Sequence, residues 1–198
     1  IYRENLSPGK TLAIYNINIT HSFNRSDGYR DHSAMNRKYI QAFQTFRYNL
    51  NASFKSLIFY SDLQYETPGG LTEAQFNENP KLSRPAGGPN RSAIDQKAGI
   101  HSKTLFGGLT HEWQIADNLS HIISVFSSYT DFKNPFITNF ELRRELTLGA
   151  RSYLGYKLET GAPQLNFNAG FESMRTTTDF DNFDNNLGRP AAIQAAHD

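Results

Sequence analysis

The chain of 198 residues lacks cysteine, and it lacks any run of apolar residues long enough to cross a membrane as a helix. The absence of cysteine excludes a disulfide framework and thiolate metal sites. A membrane-spanning helix needs about 20 consecutive apolar residues, so none is expected. The mean hydropathy of −0.58 would ordinarily favour a soluble protein. A low mean hydropathy does not exclude a transmembrane β-barrel, because only alternate residues of each strand face lipid.

An excess of charge and the common catalytic motifs are missing as well. Twenty Lys and Arg balance 19 Asp and Glu, for a net charge of +1. The cations are scattered, so we expect no nucleic-acid partner. There is no Gly-x-Ser-x-Gly, His-Glu-x-x-His, phosphate-binding loop or dinucleotide fingerprint, and the six His form no i, i+4 pair. We therefore expect no catalytic residues, no metal site and no cofactor. Residues 179–186 resemble a cation-binding loop in composition but lack the EF-hand spacing, which favours a solvated outer loop.

Alternation of apolar and polar residues is the main pattern that the chain does contain. It is clear in residues 11–24, 143–158 and 164–175, and a period of two is that of a β-strand. Four further segments, residues 38–48, 51–63, 98–114 and 119–131, are rich in aromatic and β-branched residues, although their alternation is broken. The fold class is therefore predicted to be all-β, with about seven strands. Aromatic residues near strand ends are predicted to form membrane-interface girdles, namely Trp113, Phe132 and Tyr156.

The connections between these segments alternate in length. Residues 24–37, 64–97 and 132–142 are long links, whereas 48–50, 115–118 and 159–163 are tight. An antiparallel up-and-down transmembrane β-barrel has this pattern, with short turns at one end and long loops at the other. Pro8-Gly9 is predicted to be a turn on the short side, and the chain after Arg175 a fourth outer loop. Because hydrocarbon does not tolerate unpaired strand edges, seven strands must belong to a larger barrel.

Two loop motifs carry a resemblance to a known family. Residues 65–75 read Tyr-Glu-Thr-Pro-Gly-Gly-Leu-Thr-Glu-Ala-Gln and are followed by Asn79-Pro80 and Arg84-Pro85. Residues 134–143 read Asn-Pro-Phe-Ile-Thr-Asn-Phe-Glu-Leu-Arg. Together they resemble the barrel of TonB-dependent receptors for ferric siderophores, above all the subgroup that includes ferric citrate receptors.

The resemblance implies the architecture and function of the whole protein. Residues 1–198 would be a fragment of a barrel of about 22 strands, with the plug domain and the TonB box absent from this chain. The protein would lie in the outer membrane of a Gram-negative bacterium and import a ferric siderophore or ferric citrate-type complex, energised through TonB. Its partners would be the iron chelate, the TonB complex through the missing N-terminal region, and outer-membrane lipid. The alternatives are a receptor for cobalamin or a glycan, a passive porin, or a soluble all-β binding module.

The candidate ligand contacts lie on the loops and on the inward face of one strand. Pro68, Gly69 and Gly70 are predicted to make a tight reversal that folds the loop over the lumen. Arg matches anionic oxygens with two hydrogen bonds, and aromatic rings supply contact area. The alternative without a ligand is that the turns only shape the outer rim of the barrel. The arginines of the strand would then pair with Glu145 and Glu172. The six candidates are Tyr65, Gln75, Arg84, Arg91, Arg143 and Arg151.

Overall fold

The computed structural model describes residues 1–158 and 165–197. They form one ten-stranded sheet and one short helix. Within these residues no helix has the length and hydropathy of a membrane-spanning segment. The elements in chain order are β1 (Tyr2–Leu6), β2 (Gly9–Thr11), β3 (Tyr15–Ser26), β4 (Met35–Asn49), β5 (Ala52–Glu66), α1 (Glu73–Glu78), β6 (Gly99–Ala116), β7 (Leu119–Pro135), β8 (Asn139–Leu158), β9 (Leu165–Asn185) and β10 (Pro190–His197).

The sheet is an antiparallel meander. From β3 to β10 every strand pairs with the next strand of the chain, and β1 and β2 both run along β3. The two ends of this order, β1 and β10, are not paired with each other, so the described sheet is open. The predicted up-and-down architecture is confirmed, and the sheet is part of a barrel rather than a closed small one.

The sequence reading missed strands at both edges of the sheet. Residues 11–24 were predicted to be one strand, yet Thr11 belongs to β2 and pairs with Asn16, so the chain reverses at residues 12–14. The predicted turn at Pro8-Gly9 is therefore wrong, and the Pro8 carbonyl instead accepts a hydrogen bond of 2.9 Å from Ile19 N. At the other edge, β9 continues to Asn185 and β10 follows it. The predicted outer loop after Arg175, including most of residues 179–186, is thus strand.

Among the described residues, two of the outer connections are long, residues 27–34 and 67–98. The predicted long link at residues 132–142 is wrong, because β7 extends through Pro135 and β8 begins at Asn139. Proline is tolerated there because a strand end needs no further ladder donor. At the opposite end the links are residues 12–14, 50–51 and 117–118, while the predicted turn at 159–163 lies outside the described residues.

The two faces of the sheet have opposite character. Directly paired residues of an antiparallel sheet share a face, and Leu148, Leu154, Leu165 and Phe167 share one on which they are 56%, 47%, 44% and 53% exposed. We call this the outer face, and the polar residues alternating with it form the inner face. A soluble sandwich would bury such side chains, so the apolar residues of the predicted alternation lie together on one exposed face.

Two of the three residues predicted for the aromatic girdle lie on the face that a girdle requires. Trp113 and Tyr156 lie on the outer face and are exposed. Phe132 pairs with Arg143 on the inner face, where the guanidinium lies 4.5 Å from its ring centroid. Phe132 was misassigned because the alternation of residues 119–131 is too irregular to show which face its end occupies.

An aromatic row crosses the inner face of four adjacent strands. The ring centroids of Tyr39 and Phe59 are 5.7 Å apart, those of Phe59 and Phe106 are 5.1 Å apart, and those of Phe106 and Phe126 are 6.4 Å apart. The row ends at Gly149 of β8, where a Cβ would overlap the Phe126 ring. Glycine is thus required at position 149 for the ring to lie flat across the strand.

Gly149→Ala is expected to lower the free energy of unfolding by about 1–3 kcal/mol, because the Phe126 ring must leave its position. Gly107→Ala, in β6, is the control, since nothing lies within 4 Å of the position its Cβ would occupy. Urea unfolding of the full-length barrel in detergent would measure both. Equal losses in the two variants would show that backbone freedom, and not the ring contact, explains Gly149.

Candidate functional site

Most of the buried side chains lie where the outer loops meet the strand ends. Loop 67–98 supplies several of them, and the 136–138 turn and the neighbouring strand ends supply the others. This arrangement is unusual for a surface loop, which ordinarily has few buried contacts. We name it the rim cluster, and its buried members are Ser83, Ala93, Gln96, Ala98, Ile137, Phe140 and Asn185.

Two buried amides hold the rim cluster together. Gln96 Nε2 donates to the carbonyls of Ile137 at 2.8 Å and Asn185 at 3.0 Å, and its Oε1 accepts from Leu187 N at 3.0 Å. Asn185 Nδ2 donates back to the Gln96 carbonyl at 2.9 Å and to the Phe136 carbonyl. This amide clamp fastens loop 67–98 to both of the short outer turns.

The other side of loop 67–98 is fastened to loop 27–34. Arg30 donates from Nε and Nη2 to the Leu82 carbonyl at 2.9 and 2.7 Å, and Asp31 N donates to the Lys81 carbonyl at 2.7 Å. His32 Nε2 donates to the Ala98 carbonyl at 2.6 Å, while its Nδ1 lies 3.5 Å from Glu66. The loop is therefore held at both flanks as a fixed cover at the barrel rim.

Gln75, one of the predicted ligand contacts, instead caps a short helix inside loop 67–98. α1 begins after Thr72, whose Oγ1 accepts from Gln75 N at 3.3 Å, while Gln75 Oε1 accepts from Thr72 N at 3.0 Å. This is a capping box, for which Thr-x-x-Gln is the sequence signal, although the sequence reading treated the segment as irregular. The Gln75 side chain thus already stabilises the start of α1.

Arg84 and Arg91 are brought together in the loop. Arg84 Nη1 donates to the Arg91 carbonyl at 3.2 Å. The Arg84 stem lies against Gly69, whose φ is +72°. Residues 67–72 nevertheless form neither a turn nor a bend, so the predicted tight reversal is wrong: the backbone there bonds to Ala98 and Arg84 instead of closing on itself. Within the described residues neither guanidinium has a carboxylate within 4.0 Å. Both charges are therefore available to an anion.

Arg143 and Arg151 lie on the inner face and face glutamates. Arg143 Nε is 3.6 Å from Glu141 and 3.5 Å from Glu145. Arg151 Nη1 is 3.6 Å from Glu172, with both side chains more than half exposed. The pairing considered from the sequence, with Glu145 and Glu172, is confirmed. Eight positions of one strand separate the two arginines by roughly 26 Å, so they do not form one site.

Tyr65 lies at the end of β5, where it pairs with Met35 and Ile100. It lines a cleft of about 610 Å³ together with residues of loops 27–34 and 67–98. No contact joins Tyr65 to Arg84 or Arg91. In the part of the chain that the structure describes, no group of His, Asp or Glu side chains is placed to hold a metal ion. The other residues that bring charge or polarity to the cleft are Arg25, Ser26, Asp27, His32, Asn36, Gln64, Glu66, Lys97 and His101.

Comparison with known proteins finds the fold of this chain in solved structures of larger proteins. No family model and no curated protein matches the chain. The ferric citrate transporter FecA, in its unliganded form, matches with a TM-score of 0.82 at 16% identity, over 96% of this chain and 28% of FecA. BauA, the ferric preacinetobactin receptor from Acinetobacter baumannii, matches with a TM-score of 0.70 at 12% identity, over 96% of this chain and 32% of BauA.

A third solved structure is the siderophore receptor PiuA from Acinetobacter baumannii, with a TM-score of 0.68 at 14% identity, over 91% of this chain and 29% of PiuA. The chain thus spans less than a third of the length of each of these proteins. All three are described as transporters or receptors. At these identities the likeness establishes the fold, which is a segment of the same kind of β-barrel.

Proposed function

We propose that this chain is part of the barrel domain of a TonB-dependent outer-membrane receptor that imports a ferric siderophore or ferric citrate-type complex. The observation that carries this proposal is the match of 96% of the chain to the ferric citrate transporter with a TM-score of 0.82. The resemblance of the two loop motifs supports it independently of the fold.

The distribution of polarity supports insertion into a membrane. The outer face exposes Leu, Ile, Val and aromatic side chains along seven consecutive strands, β3 to β9. Lipid is the solvent that favours such a face, and backbone groups in lipid must all be paired. The open edges at β1 and β10 would therefore be continued by further strands of a barrel of about 22. A plug and a TonB-binding segment would lie outside these residues.

The arginines of loop 67–98 are the proposed first contacts of the cargo. Ferric chelates carry oxygen-rich and often anionic groups, which guanidinium binds through two parallel hydrogen bonds. Arg84 and Arg91 face no carboxylate, whereas Arg143 and Arg151 are already close to glutamates. We assign Arg84 and Arg91 to recognition at the mouth, and Tyr65 to a separate contact in the rim cleft. Arg143 and Arg151, on the inner face of β8, line the lumen below the mouth.

One observation favours a second kind of cargo. The inner aromatic row of Tyr39, Phe59, Phe106 and Phe126 offers ring faces to the lumen. Such rings pack against flat or apolar faces, which occur in glycans and in catecholate chelates but not in citrate. A glycan receptor is therefore the alternative to be included in any binding experiment.

Equilibrium binding to the full-length receptor tests the proposal. A panel of ferric citrate, a ferric hydroxamate, a ferric catecholate, cobalamin and a soluble glycan would identify the cargo class. Arg84→Gln with Arg91→Gln is expected to weaken binding of the preferred chelate by about 10- to 100-fold, because charge-assisted hydrogen bonds are lost. Arg47→Gln, at the opposite end of β4, is the control. If the intact receptor bound cobalamin or the glycan and no ferric complex, the iron proposal would be wrong.

A further inference from the structure

Backbone strain in the described part of the chain is concentrated where loop 67–98 is fastened. Three residues other than glycine have a positive φ, namely His32 at 56°, Lys97 at 50° and Leu187 at 56°. This left-handed region is unfavourable for a residue with a Cβ, because the Cβ comes too close to the following carbonyl oxygen. Such residues persist only where the surrounding structure holds them, and they cluster in segments that switch between conformations. Their common location points to a segment of the rim that moves.

Lys97 occupies a position that its turn ordinarily gives to glycine. Ala98 N donates to the Ala93 carbonyl at 2.9 Å, and Lys97 N donates to the Ile94 carbonyl at 3.0 Å. A turn closed by these two bonds is a Schellman motif, and the residue at the position of Lys97 is then usually glycine. The Lys97 stem passes directly over Gly188, where an added Cβ would lie 2.6 Å from Lys97 Cδ. Packing against the neighbouring turn therefore holds Lys97 in its strained conformation.

Leu187 is in a comparable position on that neighbouring turn. Asn186 and Arg189 exchange two backbone hydrogen bonds, of 2.9 and 3.2 Å, so that Leu187 and Gly188 form a two-residue hairpin loop. Both have a positive φ, of 56° and 78°. Asn, Asp or Gly is usual at the first position of such a loop. Leu187 is held there by the bond of 3.0 Å from its amide to Gln96 Oε1.

Residues 96–98 connect the strained positions to both flanks of the loop. The Gln96 side chain bonds to Leu187 on one side. The Ala98 carbonyl accepts a hydrogen bond of 2.6 Å from His32 Nε2 on the other side. Because three consecutive residues hold both flanks, a movement that frees them from one neighbour also pulls on the other. Opening therefore breaks both sets of contacts together and lets the strained residues relax.

We propose that loop 67–98 is a strained cover, poised to open as one unit so that the cargo can pass, an inference that rests on the proposed function. The buried amide and histidine contacts hold the cover closed. The backbone strain raises the free energy of the closed state towards that of the open state, so the cover opens more often than its contacts alone would allow. Loops that open in this transient way gate access to many binding sites.

Glycine at the strained positions is expected to keep the cover closed. Hydrogen exchange, resolved to single amides, would be measured on the full-length receptor in detergent without cargo. Lys97→Gly should slow exchange of the Asp31 amide about fourfold relative to Lys97→Ala, and Leu187→Gly should do so relative to Leu187→Ala. The two glycines together should slow it about 15-fold relative to the two alanines. Alanine shortens the side chain but keeps the Cβ, so each comparison isolates the backbone conformation.

Two readouts show whether the strain and the coupling of the flanks are real. The Asp31 amide donates to the Lys81 carbonyl on the flank opposite Leu187, so Lys97→Gly should slow exchange at Asp31 and at Leu187 by the same factor. Ile94 is the control position, because it is exposed in the same loop and has no positive φ. Ile94→Gly should speed exchange relative to Ile94→Ala, since glycine gains more freedom on opening.

The same sign at all three positions, with faster exchange in each glycine variant, would overturn the inference. Slower exchange at Leu187 without a change at Asp31 would also overturn it, because the flanks would then open separately.

The rate of cargo association tests the purpose of the opening. For the panel member that binds, stopped-flow association should be about 15-fold slower with Lys97→Gly and Leu187→Gly than with the alanine pair, because the cargo enters only past an open cover. Slower exchange with an unchanged association rate would show that the cargo enters past a closed cover, which contradicts the inference. Slower exchange and association in a receptor that binds no ferric chelate would support the strained cover and refute the proposed cargo.

Discussion

Replacement of residues 67–85 by a short Gly-Ser linker is expected to abolish binding of the iron chelate, by at least about 100-fold, while the barrel still inserts. The segment contains α1, Arg84, and the Lys81 and Leu82 carbonyls that hold loop 27–34. Its removal would take away one of the two free arginines and release the neighbouring loop. Outer loops lie beyond the hydrocarbon and contribute little to barrel stability. Equilibrium binding and vesicle insertion would be measured on the same preparation.

The control is insertion of the same linker after Leu50, in a turn at the opposite end of the sheet. It perturbs the chain to a similar degree without touching the rim. Full affinity in a correctly inserted variant lacking residues 67–85 would exclude this loop as a recognition element. Loss of insertion would instead show that the loop supports the barrel, contrary to the reasoning above.

Gln96→Leu is expected to release loop 67–98 from the barrel rim. The change leaves the Ile137 and Asn185 carbonyls and the Leu187 amide without their partner. Each buried unpaired group costs about 1–3 kcal/mol, so the closed position of the loop should be destabilised by roughly 3 kcal/mol or more. Hydrogen exchange of residues 92–98 should accelerate at least about 100-fold, and chelate affinity should fall because the arginines are no longer held in place.

Gln64→Leu is the matched control, because the same chemical change is made at an exposed amide with no hydrogen bond to a described residue. Its exchange rates should equal those of the wild type. Slow exchange in Gln96→Leu would show that the other contacts of the loop, including those of Arg30 and His32, are enough to keep it closed. The measurement thus separates the amide clamp from the remaining contacts of the loop.

The interior strands could be read from the sequence, and the edge strands could not. β8 and β9 alternate cleanly because their outer-face residues are mostly apolar and their inner-face residues mostly polar. β1 is short, and the segment from Tyr2 to Thr11 is interrupted at Pro8 and Gly9, which are ordinary turn signals. Their true place becomes clear only from pairing with β3. β10 contains a run of alanines with little polarity contrast, so it shows no period of two.

The site was predictable only where local chemistry determines it. The capping box of α1 follows from Thr-x-x-Gln, and the pairing of Arg151 with Glu172 follows from alternation on adjacent strands. The amide clamp joins residues far apart in the chain, and nothing in the sequence around Gln96 or Asn185 marks them as partners. Burial of polar side chains in a rim cluster depends on which loops meet, which is a property of the tertiary structure.

The meander order also determines how this sheet can assemble. Each pairing from β3 to β10 joins chain neighbours, so a strand can be added by forming one hairpin at a time. Closing a turn such as residues 117–118 costs little conformational entropy, whereas closing loop 67–98 costs about 2–3 kcal/mol more. The step that adds β6 to β5 is therefore the slow one among the described hairpins. Because the amide clamp forms only after β9 is in place, it cannot speed that step, and it acts later by making the finished rim hard to reopen.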